Sequence, residues 1–286
     1  MRGEAAIQVR FWGVRGSFPV PGPKTAKVGG NSSCVQIEAG AHTLIFDAGT
    51  GVIGLGEQLA ARSNGARRVH IFLSHMHHDH IEGLRFFQPF YRQGWTCFVY
   101  GPESDDHPVK KALAHMMSPR FFPVELGDLQ ARIKVCGLRA RQTLVFPGEP
   151  KVIVESVHIG AHPKFGVQLY KVSCGSRSVV YATDVESPLG GFDSVVELAR
   201  DADVLIHDAQ YTDHEYDRAD DHRRGWGHST VRMAAETARA AGVRQLILYH
   251  HDPSRTDIQV PKLEQVARTI FPRSRAAREG LTITLR

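Results

Sequence analysis

Leu73-Ser74-His75-Met76-His77-His78-Asp79-His80 is the stretch that decides the fold. It follows Val69-His70-Ile71-Phe72, a short β-branched run that reads as a strand. Alternate residues of an extended segment share a side, so His75 and His77 point the same way. Once the chain turns, Asp79 and His80 can face a second point close by. Neutral imidazole and carboxylate are the donors that zinc and similar divalent ions prefer. A histidine-rich solvent loop would explain neither the aspartate nor the strand that delivers it. Two adjacent metals could share one substrate here.

Outward from this segment the chain alternates short apolar runs with amphipathic ones. Strands are predicted over 7–12, 34–38, 43–46, 69–73, 97–100, 133–136, 152–157, 167–172, 179–182, 204–206, 245–249 and 281–285. The 3.6-residue period predicts helices over 55–61, 109–117, 194–199, 230–241 and 263–270, with Ser229 as N-cap of the fourth and Gly242 as its stop. Gly and Pro concentrate in 13–30, which reads as a long loop; it lacks both the P-loop spacing and a G-x-G-x-x-G after a strand. There is a faint internal echo. Leu44-Ile45-Phe46-Asp47 and Val180-Tyr181-Ala182-Thr183-Asp184 are both strands ending in Asp, and the strands before His75 and His250 both end in His. Two halves that send polar residues off strand ends suggest two sheets meeting at a shared site. The α/β order and the lack of a long linker predict one domain over 1–286.

Composition narrows the class. A 286-residue chain with 42% hydrophobic and 23% charged residues is globular and can bury a core without metal staples, so a metal site is expected to be chemical. Lys+Arg 35 against Asp+Glu 30 gives +5, which suits an anionic substrate but is too small to establish nucleic-acid binding. The arginine groups Arg132, Arg139, Arg141 and Arg273, Arg275, Arg278 read as solvated faces. Cys34, Cys97, Cys136 and Cys174 form no C-x-x-C pair, and no run reaches 18 apolar residues. Residues 1–10 carry no apolar signal region, so a cytoplasmic protein without membrane contact is expected.

H-x-H-x-D-H after a strand resembles the signature of the metallo-β-lactamase fold superfamily. The resemblance extends over nearly the whole chain, through Asp47 in Phe46-Asp47-Ala48-Gly49, Asp184 in Tyr181-Ala182-Thr183-Asp184, and His250 in Leu246-Ile247-Leu248-Tyr249-His250. It implies an α/β fold of the αββα type, two mixed sheets flanked by helices. It also implies a ligand set: His75, His77 and a middle histidine on one metal, Asp79, His80 and His250 on the other, and Asp184 bridging. The middle histidine is read as His162, which precedes Pro163 and Gly166, with His158 as the alternative. Asp47 is expected to orient a ligand imidazole and not to bind metal. His251 is expected to lie behind the site or on the surface, and His78 to point away from the metals. Two divalent ions follow, zinc first, with manganese or iron as alternatives.

Gly227-His228-Ser229-Thr230, 22 residues before His250, and Asp208 in Ile206-His207-Asp208 resemble the phosphodiesterase branch. That branch includes transfer-RNA 3′-processing endonucleases and bacterial cyclic-nucleotide phosphodiesterases. The resemblance implies attack on phosphorus by a metal-bridged hydroxide, with His228 as general acid oriented by Asp208. A helix N-terminus at this point would also favour a phosphate; the plain structural reading is that His228 caps the helix with Ser229. The processing endonucleases of the branch carry an exosite arm after the middle histidine. Here Gly166 and Asp184 are 18 positions apart and two strands fill the gap. A small or cyclic nucleotide-like phosphodiester is therefore the expected substrate, and nucleic acid is not favoured. An RNA-processing nuclease, a lactonase or thioesterase, and a non-catalytic metal-binding module are the alternatives. A homodimer is expected from the resemblance. Phe86, Phe87, Phe90 and Tyr91 read as packing residues, His42, His70, His107, His115, His214 and His222 as surface or packing histidines, and Asn31-Ser32-Ser33 as a stretch that brings a loop toward the site.

Overall fold

A computed structural model describes residues 7–62, 67–104, 108–220 and 222–286; His107 and the first six residues of the N-terminal reading lie outside them. The first half begins with an antiparallel run, β1 (Ile7–Gly13), β2 (Cys34–Ala39) and β3 (His42–Phe46). It continues through α1 (Gly51–Ala61), β4 (Arg68–Phe72), α2 (His78–Ile81), β5 (Thr96–Pro102), α3 (Val109–Met116) and β6 (Arg132–Leu138), with β3 to β6 parallel. The second half repeats the plan. β7 (Arg141–Phe146), β8 (Val152–Ile159), β9 (Val167–Cys174) and β10 (Arg177–Ala182) are antiparallel. α4 (Gly191–Ala199), β11 (Val204–Asp208), α5 (Asp213–Asp217), α6 (Val231–Ala240), β12 (Gln245–Tyr249), α7 (Gln259–Ile270) and β13 (Ser274–Ala276) follow, with β10 to β13 parallel. β14 (Thr282–Leu285) returns to pair with β1. The sheets have orders β14-β1-β2-β3-β4-β5-β6 and β13-β12-β11-β10-β9-β8-β7.

Side-chain alternation explains the layers. Leu44 and Phe46 of β3 point between the sheets, where they join Phe72, Tyr170, Tyr181, Ile247 and Tyr249. Ile45, one residue out of phase, points to the other face and packs with Val52, Leu55 and Leu59 of α1 and Leu113 of α3. In the second half Val180, Leu205 and Leu246 meet Val195 of α4, Ala234 and Ala238 of α6, and Leu263 of α7. The central strands are thus covered on both faces, which is why VLIHD and QLILY read as nearly unbroken apolar runs.

The echo between the halves is partly topological. β3 and β10 hold the same place in their sheets, and Asp47 and Asp184 follow them with φ of 57° and 54°. The His75–His250 echo is not: β4 is the second strand of its parallel run, whereas β12 is the third. Helices start earlier than periodicity predicts, at Gly51, Gly191 and Gln259, because their first turns carry glycine or polar residues. β7 and β13 were not predicted, since an edge strand such as RQTLVF or SRA shows no apolar alternation. No helix among the described residues is long and apolar enough to cross a membrane.

Candidate metal centre

Every candidate ligand leaves the C-terminal end of a strand or the loop beyond it. β4 delivers His75 and His77, and α2 begins at His78 to turn Asp79 and His80 back toward the sheet edge. β8 leads to His162, β10 to Asp184, β11 to Asp208 and β12 to His250. Asp184 and His250, like Asp47, have positive φ (54° and 59°), backbone that costs a residue with a side chain and tends to persist at functional sites.

The donor atoms converge as two groups. His75, His77 and His162 form one, Asp79, His80 and His250 the other, and Asp184 reaches both. Nε2 of His80 lies 3.1 Å from Asp79 Oδ2, 3.2 Å from Asp184 Oδ2 and 3.2 Å from His250 Nε2. Nε2 of His250 lies 3.2 Å from Asp79 Oδ2 and 3.3 Å from Asp184 Oδ2. Donors about 2.1 Å from a tetrahedral ion stand roughly 3.4 Å apart, so these four atoms are spaced like the shell of one cation. In the other group His77 Nδ1 and His162 Nε2 are 3.2 Å apart, and Asp184 turns its second oxygen, Oδ1, to 3.8 Å from His75 Nε2. That His75 nitrogen is buried and has no hydrogen-bond partner. An orphaned buried imidazole nitrogen beside a carboxylate fits a metal ligand and is otherwise costly. The residues present therefore fit two divalent ions.

Hydrogen bonds from behind set the tautomers. Asp47 is fully buried and accepts from His80 Nδ1 (2.7 Å), Ser74 N (2.7 Å), Ser74 Oγ (2.8 Å) and Tyr181 OH (2.7 Å), which leaves His80 Nε2 bare toward the cluster. Asp47 thus lies behind His80, on the side of the ring away from the cluster. Gln210 Oε1 does the same for His250 Nδ1 at 2.8 Å, and the Gly227 carbonyl for His162 Nδ1 at 3.1 Å. Burial holds His75, His77 and His162 below the ordinary histidine range, which keeps them neutral as ligation requires. Burial opposes charge on Asp79 and Asp184, but the surrounding imidazoles, His80 foremost for Asp79 and His250 for Asp184, hold both carboxyls well below theirs.

Of the two middle-histidine readings the structure brings His162 to the cluster. His158 is exposed on β8, in register with Gln168, and belongs to neither group. The loop that carries His228 is shaped for His162: a Cβ on Gly227, whose φ is 90°, would fall 2.1 Å from His162 Nδ1. His78 is exposed at the cleft rim and joins no donor group. His251 is neither on the surface nor directed at the cluster. It is buried, and its ring bonds the Ala277 carbonyl at 2.9 Å, with burial lowering its pKa to about 4.

His228 stands over the cluster, its ring stacked on His250 with centroids 5.1 Å apart. Its Nδ1 donates to Asp208 Oδ2 at 2.7 Å. That is a hydrogen-bond distance, shorter than donors around a shared metal would keep. Asp208 is fixed by the backbone amides of Asp184, Gln210 and Ser229 at 3.1–3.2 Å. Burial opposes charging of His228, but Asp208, with Asp184 and Asp79 behind it, raises its pKa to about 9. The capping reading fails. Thr230, not Ser229, is the N-cap of α6, and Ser229 Oγ donates to the Val185 carbonyl at 2.6 Å. At the start of α6 two amides already have partners: Val231 N bonds Tyr211 O, and Met233 N bonds Thr230 Oγ1.

Three supports were not legible as site residues. Gln210 has no ligand pattern. Ser17, from the glycine-rich loop, donates its amide to Asp79 Oδ2 at 2.8 Å. Buried Glu186 accepts from the Gly225 and Gly227 amides at 2.7 Å and so shapes the His228 loop. A Glu two residues beyond Asp184 was a visible signal for it. Asn31-Ser32-Ser33 does tie its loop to the site's surroundings, through Ser32 Oγ to Glu82 at 2.9 Å. Phe87 and Phe90 are core residues, whereas Phe86 is exposed. Ser17, His77, His78, Asp79, Asp184, His228 and His250 line a cleft of about 300 Å³.

Two seven-stranded mixed sheets between helices, with His and Asp donors gathered at one edge, define the metallo-β-lactamase fold and a metal-dependent hydrolase within it. The chain belongs to the family described as the beta-lactamase superfamily domain, whose model matches residues 42–251. It is similar to a ribonuclease Z of Gemmatimonas aurantiaca, 27% identical over 331 aligned positions that cover 98% of this chain and 96% of the relative. Its fold is shared with the metallo-beta-lactamase fold protein YhfI from Bacillus subtilis (TM-score 0.69, 20% identity, 99% and 100% of the two chains). It is shared as well with the short form of human tRNase Z (TM-score 0.66, 22% identity, 96% and 98%).

Proposed function

We propose that the protein is a two-metal phosphodiesterase that cleaves RNA, with His75, His77 and His162 holding one ion, Asp79, His80 and His250 the other, and Asp184 between them. The observation that carries this is the His228–Asp208 pair, a charged imidazole placed beside the cluster at 2.7 Å from its carboxylate partner. When bound, the ions, zinc foremost, supply an activated water and neutralise charge on the phosphate. The chain's own residues do the rest. His228 uses Nδ1 for Asp208, so its Nε2 is the nitrogen left to meet a leaving oxygen. Asp208 is held by three backbone amides and keeps the imidazole charged and turned. An alkoxide leaves poorly without a proton, and a ribose oxygen is such a group, so this acid suits an RNA phosphodiester. A lactone or thioester has less need of it. The similarity to a ribonuclease Z along nearly both full lengths supports RNA over the small phosphodiester expected from the sequence.

One observation favours the small substrate as a second reading. β9 and β10 form a hairpin with only two residues between them, so no arm leaves the chain there. The alignment to the relative agrees: 331 positions over 98% of a 286-residue chain leave about 50 places where the relative has residues and this chain has none. Turnover by the metal-loaded protein of a transfer-RNA precursor with a 3′ extension, a cyclic-nucleotide panel, bis(p-nitrophenyl) phosphate and a thioester separates the readings. Cleavage of the RNA is the expected result. Hydrolysis of cyclic nucleotides with intact RNA would move the assignment to the second reading, and thioester turnover alone would overturn both.

A further inference from the structure

The parallel strands β10, β11 and β12 carry metal-side residues at their C-terminal ends, and at their N-terminal ends they open, with β13, on a different cleft. It has a volume of about 520 Å³ and is lined by Arg177, Arg244, Arg268, Arg273, Arg275 and Arg286. A five-residue strand puts roughly 17 Å between the two ends, so this cleft is not an extension of the metal site. We propose that it binds a ligand carrying several phosphates in a row, either the backbone of a nucleic acid or a free oligophosphate. The proposal is independent of the reading of the metal centre.

Four observations carry it. The first is charge: six guanidiniums meet two side-chain carboxylates. Asp203 Oδ1 sits 3.2 Å from both Arg177 and Arg244, and Glu264 pairs with Arg268 at 2.7 Å. Second, Arg273, Arg275 and Arg286 have no side-chain hydrogen bond or ion pair among the described residues. Such a group of like charges is unfavourable by itself and is relieved by an anion. Third, the arrangement is built into the sheet. Asp203 is buried, accepts from the Ser178 amide at 2.9 Å, and holds Arg177, whose Nε also donates to the main-chain oxygen of Arg286 at 2.8 Å. Arg275 lies in β13 and Arg273 in the turn that leads into it, and both line the cleft. Fourth, the size is wrong for one phosphate, being several times its volume, and right for a short run of them. Arginine is also the side chain whose planar fork matches phosphate oxygens bidentately. Arg273 is solvent-exposed, as the sequence reading expects, and the tertiary fold brings Arg177, Arg244, Arg268 and Arg286 to the same place.

The test measures binding of two probes to the metal-loaded protein by fluorescence anisotropy. One is a labelled adenosine tetraphosphate at nanomolar concentration, the other a labelled twelve-nucleotide single-stranded RNA. Wild type is compared with R273A/R275A and with the single charge reversal Arg273→Glu. Both variants are expected to weaken at least one probe tenfold or more while hydrolysing bis(p-nitrophenyl) phosphate at the wild-type rate. That rate also shows that they are folded. Loss confined to the tetraphosphate identifies a free oligophosphate as the ligand; loss for the RNA identifies the nucleic-acid backbone. Unchanged affinity for both probes in both variants overturns the proposal.

Discussion

Replacing His228 by alanine tests the chemistry at its most specific point. The side chain is nearly buried, bonded through Nδ1 to Asp208 at 2.7 Å, and has a pKa of about 9. At pH 7, below that value, the ring is largely protonated, so the acid is present without any change in the protein. General acid–base catalysis contributes roughly 10²–10⁴, or about 2.7–5.4 kcal/mol at 1.36 kcal/mol per decade. His228→Ala should lower turnover of an unactivated phosphodiester by that factor. Bis(p-nitrophenyl) phosphate, whose leaving group departs without a proton, should lose far less. Metal content by elemental analysis should not change, because His228 is not assigned as a ligand. The pH profile adds a sign. A group with a raised pKa is charged below that value and loses its proton above it, so wild-type turnover of the unactivated ester should fall as pH rises through about 9. Asp208→Asn removes the charge that raises the pKa and should move this limb to lower pH. Equal losses for both substrates in His228→Ala, or near-normal turnover of the unactivated ester, would refute the general-acid role.

The donor set predicts two divalent ions per chain by elemental analysis, and Asp184→Asn should reduce that number; a single ion in wild type would sink the two-metal assignment. Asp47→Asn keeps the shape of the residue but takes the charge from behind His80, and should weaken metal affinity about 10–100-fold in a chelator titration. An unchanged chelator midpoint would show that His80 is oriented without it. Gly227→Ala meets both a φ of 90° and a Cβ that would sit 2.1 Å from His162 Nδ1, so a loss of about 1–3 kcal/mol in denaturant unfolding is expected, with weaker metal retention. Light scattering at micromolar concentration should give a homodimer, and a monomer would remove that expectation without touching the site.

The elements legible in the sequence were those with a local physical cause. The H-x-H-x-D-H stretch declares its chemistry because five donors within six residues after a strand have no packing reason to be there. The buried central strands declare themselves because both their faces must be apolar, and α6 because Gly242 stops it. Asp184 and His250 stand out because each follows a strand end, where α/β folds expose polar groups, whereas Asp208 is singled out by the resemblance to the phosphodiesterase branch. Edge strands β7 and β13 were not legible, since one open side removes the apolar pattern, and neither were helix starts made of glycine and polar residues. The pairing of distant parts was decided only by the tertiary structure. His162 and not His158 meets His77 because the chain must leave β8 and turn before its imidazole can reach the sheet edge. Gln210 and Ser17 became part of the site through hydrogen bonds that no spacing encodes. The arginine-lined cleft exists only because parallel strands bring residues 177, 244 and 273 to one end of their sheet, where the end of β14, from the other sheet, adds Arg286. A sequence carries the donor types and the local periodicity; which donors share a point in space depends on strand order and register, and those are set by burying two sheet faces against each other.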